Sequence, residues 1–339
     1  MAENKDLFDV VADFYPPESI EGVSWHGSRV ILTLIDVEED EVKKQALTKE
    51  LEKIEGIDKV TILYTSERKV VNLSAIRGDA ERSSWMIRGV KKIIAVASGK
   101  GGVGKSTTAT NIAFALKKIG LKTALFDADI YGPSIPTMLG YEGTAPVSYD
   151  GKTFEPFEVM GMQTMSIGTL IGKDTPLIWR GPKACGALQQ LLSDVNWHDV
   201  DVMVMDMPPG TGDIQITLSQ QVRIDGAIIV STPQDIALID AVKGVNMFKA
   251  VNVPILGIVE NMSYYLCPEC GHREYVFGEN GAKNTAEKLN VDFLGDVPLD
   301  IKIRMHADEG KPIVESEPES LFAKNYIEIA KKVKDKLKL

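Results

Sequence analysis

The sequence predicts an α/β protein: a doubly wound, mostly parallel sheet with helices on both faces, preceded by a small α+β domain. Three observations carry this. From Lys91 onward the chain repeats strand, glycine-containing turn and helix. Several of the strand candidates are continuous apolar runs without alternation, as strands read when both faces of a parallel sheet are covered. The first of them, IIAVA, ends in a glycine-rich turn that opens directly into a helix. At roughly 100–200 residues per domain, 339 residues suggest two domains, one of them large.

The small domain is placed at residues 1–67. A helix over Leu7–Phe14 leads to Pro16–Pro17, and RVILTLI (Arg29–Ile35) reads as a strand from its alternating apolar and β-branched positions. A helix from Val42 to Ile54 carries Leu47, Leu51 and Ile54 on one face and stops at Gly56; a strand follows at Lys59–Tyr64. Residues 68–90 are polar and mixed in charge and read as a linker, an ordinary exposed connection rather than a docking segment. The large domain, 91–339, has strands expected at Ile93–Ala97, Thr123–Phe126, Met162–Ile167, Val202–Met205, Gly226–Val230, Ile255–Val259 and Phe293–Gly295. Helices are expected at Ser106–Ile119, Ala184–Leu192, Ile236–Lys249, Gly281–Leu289 and Pro318–Leu337. Ligands belong at the carboxyl ends of such strands.

Composition excludes several classes. Apolar residues make up 44% and charged residues 25%, ordinary for a globular chain with a full core. Three cysteines cannot build a disulfide framework and suit a reducing cytosol, so a cytoplasmic location is expected. No apolar run approaches the ~18–20 residues of a membrane span, and the acidic amino terminus lacks a signal-peptide pattern. The formal charge of −10 argues against nucleic acid as the main partner. Neither a membrane nor a nucleic-acid partner is expected.

The strongest motif is Gly99-Lys100-Gly101-Gly102-Val103-Gly104-Lys105-Ser106, a G-x-x-x-x-G-K-[ST] phosphate loop between a strand and a helix. Its glycines let backbone N–H groups turn inward onto phosphate oxygens, and the helix adds its positive end. This makes the large domain a P-loop NTPase for ATP and Mg²⁺. Lys105 reaches the terminal phosphates, Ser106 is a Mg²⁺ ligand, and Thr107 is a further nucleotide contact. The first switch is expected at Phe126-Asp127-Ala128-Asp129. There Asp129 orients the attacking water and Asp127 supports it or the Mg²⁺ shell. Asp206, ending the apolar strand Val202–Met205, is the expected carboxylate near Mg²⁺. The glycine-flanked turn from Pro208 to Asp213 suits a second switch, with Asp213 either a helix N-cap or a functional group.

Cys267-Pro268-Glu269-Cys270 is the second chemical signal. The spacing aims two thiolates at one centre, which serves zinc, an iron–sulfur cluster or redox exchange. One chain supplies two such ligands and His272 is a candidate third; Cys185 lies in a distant helix. Two copies of the pair across a two-fold axis supply four cysteines, enough for one [4Fe–4S] cluster.

The form K-G-G-x-G-K-[ST], with Lys100 after the first glycine, resembles the dimeric ATPases related to MinD, ParA and the nitrogenase iron protein. That resemblance implies that Lys100 crosses a homodimer interface to the other subunit's phosphates and that Asn261 contacts adenine. Longer stretches are similar to the Mrp/ApbC family of P-loop ATPases that carry iron–sulfur clusters: Phe126–Gly140, Trp179–Pro182, Met205–Gln220, Ser231–Phe248 and Ile258–Gly271. The resemblance implies a homodimer that holds a labile [4Fe–4S] cluster on Cys267 and Cys270. It further implies that upstream assembly proteins load the cluster, that it passes to client apoproteins, and that slow ATP hydrolysis tunes transfer. The N-terminal domain resembles the small iron–sulfur-assembly-associated domain that precedes the ATPase in many members. A partitioning or positioning ATPase with a structural zinc site is the rival reading. It would require the lysine-rich C-terminal helix to bind a membrane, or a basic surface to bind DNA.

Overall fold

The computed structural model describes residues 3–26, 29–35, 37, 40–54, 56–65, 85, 87–170 and 181–339. The chain forms two compact units, 1–80 and 81–339. In the first, strands β1 (Ile20–His26), β2 (Arg29–Ile35) and β3 (Lys59–Thr65) form one sheet. β1 runs antiparallel to β2, and β2 parallel to β3. Helices Glu3–Ala12 and Glu41–Leu51 close its core, where Leu7, Leu32, Leu34, Leu47 and Leu51 are fully buried. Asp40 starts the second helix by accepting from the N–H groups of Val42 and Lys43. β1 escaped sequence analysis because Gly22 and Ser24 interrupt its apolar pattern.

In the second unit nine strands form one sheet: β4 (Val90–Ala97), β5 (Thr123–Asp127), β6 (Phe157–Val159), β7 (Met162–Ser166), β8 (Val200–Asp206), β9 (Gly226–Ser231), β10 (Ile255–Leu266), β11 (Arg273–Glu274) and β12 (Phe293–Leu299). Their order is β11-β10-β9-β4-β8-β5-β7-β6, with β12 also paired to β10. Among the described residues of this unit, only the β6–β7 and β10–β11 pairs are antiparallel. β4 shows why its sequence reads as a solid apolar run. Ile93, Ala95 and Ala97 enter the core on one face of the sheet, while Ile94 and Val96 enter the core on the other.

Three differences from the expectations have local causes. β10 continues seven residues beyond Val259, because β12 and β11 supply partners after β9 ends. The last helix starts at Leu321 rather than Pro318, with Ser320 capping it through the N–H of Ala323. The proposed exposed linker is docked at its end: Trp85 is half-buried, pairs with Val222, and donates its N–H to the Gln221 carbonyl. Residues 68–84 and 86 of that segment, and Trp179 and Arg180 of the WRGP stretch, lie outside the described residues.

The C-terminal helix Leu321–Leu337 buries Ala323, Tyr326, Ile329, Ala330, Val333 and Leu337 in the core. Its apolar stripe is therefore occupied by the domain itself and is not a free membrane-binding face. No helix among the described residues is long and apolar enough to cross a membrane.

Candidate functional site

The sheet order brings the carboxyl ends of β4, β8 and β5 side by side. Parallel register sets Val96 opposite Asp206 and Asp206 opposite Asp127. The phosphate loop leaves β4 at this point. Gly102 and Gly104 take the left-handed backbone that favours glycine, at φ 81° and 78°. Gly104 also meets a steric limit, since a Cβ there would stand 2.1 Å from Nδ2 of Asn261. Val103 is buried and anchors the loop, and Ser98 Oγ donates to the Lys100 carbonyl at 2.8 Å. Helix Lys105–Lys118 begins immediately after, with its N-terminus at the loop.

Lys105 is buried, and its ammonium group lies 2.5 Å from Asp206 Oδ1, 3.6 Å from Asp129 Oδ2 and 3.2 Å from the Ser106 hydroxyl. One cation therefore serves two carboxylates. Asp127 is fully buried and faces a different set of donors. Its Oδ1 accepts from the Asp129 N–H, and its Oδ2 from the Ile135 N–H and the Ser166 hydroxyl. These bonds hold the segment after β5 against β7, so Asp127 fixes Asp129 and the loop behind it. Ser166 was not singled out in the sequence, where it is one polar residue closing an ordinary strand. Asp129 Oδ1 accepts from the Gly132 N–H at 3.3 Å.

Asp206 Oδ2 is buried and, among the described residues, without a hydrogen-bond partner. An orphaned carboxylate oxygen beside the Ser106 hydroxyl is a hard-oxygen donor set that fits Mg²⁺. The Lys100 side chain is half-buried and forms no ion pair with any described residue. The Thr107 hydroxyl rests against Met138 Sδ at 3.8 Å. Asn261, expected just beyond a strand, lies within β10. It is buried, and its Nδ2 donates to the Val103 carbonyl at 2.8 Å. Asp213 is the first residue of helix Asp213–Gln221, and Gly212 holds the N-cap position.

The cysteine pair occupies the tip of a hairpin between β10 and β11. The Cys267 N–H donates to the His272 carbonyl and the Gly271 N–H to the Cys267 carbonyl, with Gly271 at φ 71°. Cys267 is half-buried, Cys270 exposed, and both are free thiols. Backbone N–H groups of Cys270 and Glu269 hold the Cys267 thiol below its usual range, which favours the ligating thiolate. His272 is not drawn in as a third ligand; it points to Glu274 at 3.5 Å. Among the described residues, no three His, Cys, Asp or Glu side chains converge on one metal position. Cys185 stays in helix Gly181–Asp194, half-buried against the core.

A family model described as ParA, NUBPL iron-transfer P-loop NTPase, matches residues 89–334. The chain belongs to this family. The iron–sulfur cluster carrier protein of Salmonella typhimurium is 56% identical over 247 residues, covering 73% of this chain and 67% of that protein. The iron–sulfur cluster transfer protein NUBPL of Dictyostelium discoideum is 50% identical over 254 residues, covering 75% and 79%. Among solved structures, a nucleotide-binding protein from Archaeoglobus fulgidus in complex with ADP superposes with TM-score 0.61 at 37% identity. It covers 69% of this chain and 93% of its own. The cell-division ATPase MinD of Pyrococcus furiosus, at TM-score 0.55 and 22% identity, shares the fold.

Burial, followed by repulsion from Asp206, pushes the Asp127 carboxyl up to about 7, against the hydrogen bonds it accepts and the charge of Lys105. Burial likewise raises Asp206, opposed first by Lys105. The unfolded reference for Asp127 is about 3.9. A folded value above the unfolded one gives stability that is fully present below about pH 4 and is lost as pH rises through about 7. Thermal midpoints of the nucleotide- and Mg²⁺-free protein should therefore fall between pH 5 and 8. Asp127→Asn should flatten that part of the profile; an unchanged slope in the variant would remove Asp127 as its source.

Proposed function

We propose that this protein is an iron–sulfur cluster carrier whose homodimer holds one [4Fe–4S] cluster on the paired Cys267 and Cys270 thiolates of its two subunits. Client apoproteins receive the cluster, and upstream assembly proteins supply it. The observation that carries this reading is the hairpin. It presents two thiols at an accessible tip, one of them held below its usual pKa by backbone N–H groups, with no third ligand converging from the described residues. A four-thiolate cluster site then needs a second copy of the chain. The names of the relatives, cluster carrier and cluster transfer proteins, agree with it.

The phosphate loop binds Mg·ATP in this reading. Loop N–H groups and the helix N-terminus receive the phosphates, and Lys105 exchanges its carboxylate partners for phosphate oxygens. Asp206 Oδ2 and the Ser106 hydroxyl would hold Mg²⁺, which neutralises phosphate charge when bound. Asp129, released from Lys105, orients the attacking water for slow hydrolysis, and Asp127 fixes Asp129 through its backbone N–H. Gly99, Gly101, Gly102, Val103 and Gly104 shape the loop; Thr107 lies beside it. Lys100, free of ion pairs with described residues, reaches the partner's nucleotide. Residues 1–67 form the small assembly-associated domain and 68–90 the linker to the ATPase domain. The C-terminal helix Leu321–Leu337 does not offer the free membrane-binding face that a positioning ATPase would use, because its apolar residues are buried in the core.

Anaerobic reconstitution with iron and sulfide tests the assignment. The wild type should hold about four iron atoms per dimer, and Cys267→Ser or Cys270→Ser should lose retention at least tenfold with nucleotide affinity preserved, because the two sites occupy different loops. Cys185→Ser should keep both properties. Four iron atoms in a monomer, or a full cluster in the Cys267 variant, would contradict the bridging site.

A further inference from the structure

β10 loses one of its two partners at Asn261. Up to Glu260 the strand lies between β9 and β12, with Glu260 opposite Ser231 on one side and Asp296 on the other. From Asn261 only the β12 pairing continues, with Asn261 opposite Val297 and Tyr265 opposite Leu299, until β11 joins at Tyr265 and Leu266. Four residue steps on β10 therefore face two on β12. Met262 absorbs part of this excess in the left-handed region, at φ 55°, where a long side chain is uncommon. This is a bulge, a local departure from the ladder that re-aims the strand beyond it.

Each end of the bulge is tied to a different site. At its start, Asn261 Nδ2 donates to the Val103 carbonyl inside the phosphate loop, and a Cβ on the adjoining Gly104 would collide with the same nitrogen. The loop and this amide are in contact at two successive residues, so neither shifts without the other. One residue earlier, the buried Glu260 carboxylate accepts from the Ser263 hydroxyl and from the Ala282 N–H at the start of helix Gly281–Leu289, both at 2.6 Å. That fixes the base of the bulge. At its far end the strand runs directly into Cys267, six residues beyond Asn261. There the Arg273 guanidinium of β11 lies 3.7 Å above the Tyr264 ring and clamps the hairpin to the bulged strand.

We propose that Asn261 is a positioning residue that couples the phosphate loop to the cysteine hairpin: nucleotide in the loop shifts the Val103 carbonyl, Asn261 follows, and the bulge re-aims Cys267 and Cys270. The inference rests on the reading of the loop as a nucleotide site and of the two thiols as the functional pair; it names the physical link between them. The bulge is the element with alternative arrangements, biased from both ends. By linkage, a metal held on the thiols changes nucleotide affinity by the same factor that nucleotide changes metal affinity.

The test follows thiol alkylation by iodoacetamide in the metal-free full chain, resolved by mass spectrometry for each cysteine, with and without saturating MgADP. In the wild type MgADP should change the rates at Cys267 and Cys270 several-fold and leave Cys185, on a helix elsewhere in the unit, unchanged. Asn261→Ala and Asn261→Asp both remove the amide donor, and the second keeps its size. At MgADP concentrations raised to saturation, both should bring the ratio of rates with and without nucleotide close to one, with an unaltered circular dichroism spectrum. Met262→Gly leaves the Asn261 amide in place but loosens the bulge; it should lower the ratio while binding MgADP, and it decides the matter if the Asn261 variants bind no nucleotide. A wild-type ratio of one, or a wild-type ratio retained in the variants that bind MgADP, would overturn the inference. Failure of the cluster reading shows separately, as absent iron after reconstitution, and leaves the alkylation ratios intact.

Discussion

The second unit is organised around a single buried ammonium group. Lys105 has little access to water and is matched by Asp206 at 2.5 Å and Asp129 at 3.6 Å. Burying such charges costs several kcal/mol per ion unless each is paired and hydrogen-bonded. The fold meets that requirement through its strand order. Placing β8 between β4 and β5 puts the phosphate loop, Asp206 and Asp127 on neighbouring strand ends, and the first switch then carries Asp129 to the same point. A different order would leave the lysine or the carboxylates buried alone.

The same cluster explains why the site can respond to a ligand. Two carboxylates draw on one cation, one oxygen of Asp206 lacks a partner, and Asp127 is pushed to about 7. An anion that takes Lys105 must arrive with a cation that satisfies Asp206, as a magnesium nucleotide does. The charges that would move in this exchange belong to Asp129 and Asp206, so occupancy would reach outward through the segments that follow β5 and β8. Asn261 adds a third exit, along β10 towards the thiols. The cysteine hairpin is built by contrast from local hydrogen bonds and needs little from the core. This allows accessible thiols to sit on an otherwise rigid sheet.

Much of this was legible in the sequence where one residue type has one use. The loop Gly99–Ser106 and the carboxylate ending an apolar strand announce themselves, and the apolar runs of β4, β8 and β9 read directly as covered strands. What was not legible depends on partners distant in sequence. Asp127 reads like any acid after a strand; its acceptance from Ser166, 39 residues on, makes it an organiser of the switch. Glu260, Asn261 and Ser263 look like a strand giving way to a polar turn, yet the strand continues because β12 stays paired to it after β9 ends and β11 joins beyond. Trp85 lies in the segment read as a linker, and its pairing with Val222, far along the chain, is not visible in the sequence. Asn261 was expected to contact adenine; its donation to the Val103 carbonyl, 158 residues away in sequence, is a further contact that the sequence does not reveal.

The central claim is that Lys105 compensates buried carboxylate charge before any nucleotide arrives. Urea unfolding of the nucleotide-free protein tests it with Lys105→Met, Asp206→Asn and the double variant. Lys105→Met alone should destabilise by about 3–5 kcal/mol, as when one partner of a buried pair is removed, and adding Asp206→Asn should restore most of the loss. A Lys105→Met protein as stable as the wild type, or a double variant that loses the sum of the two single effects, would contradict it.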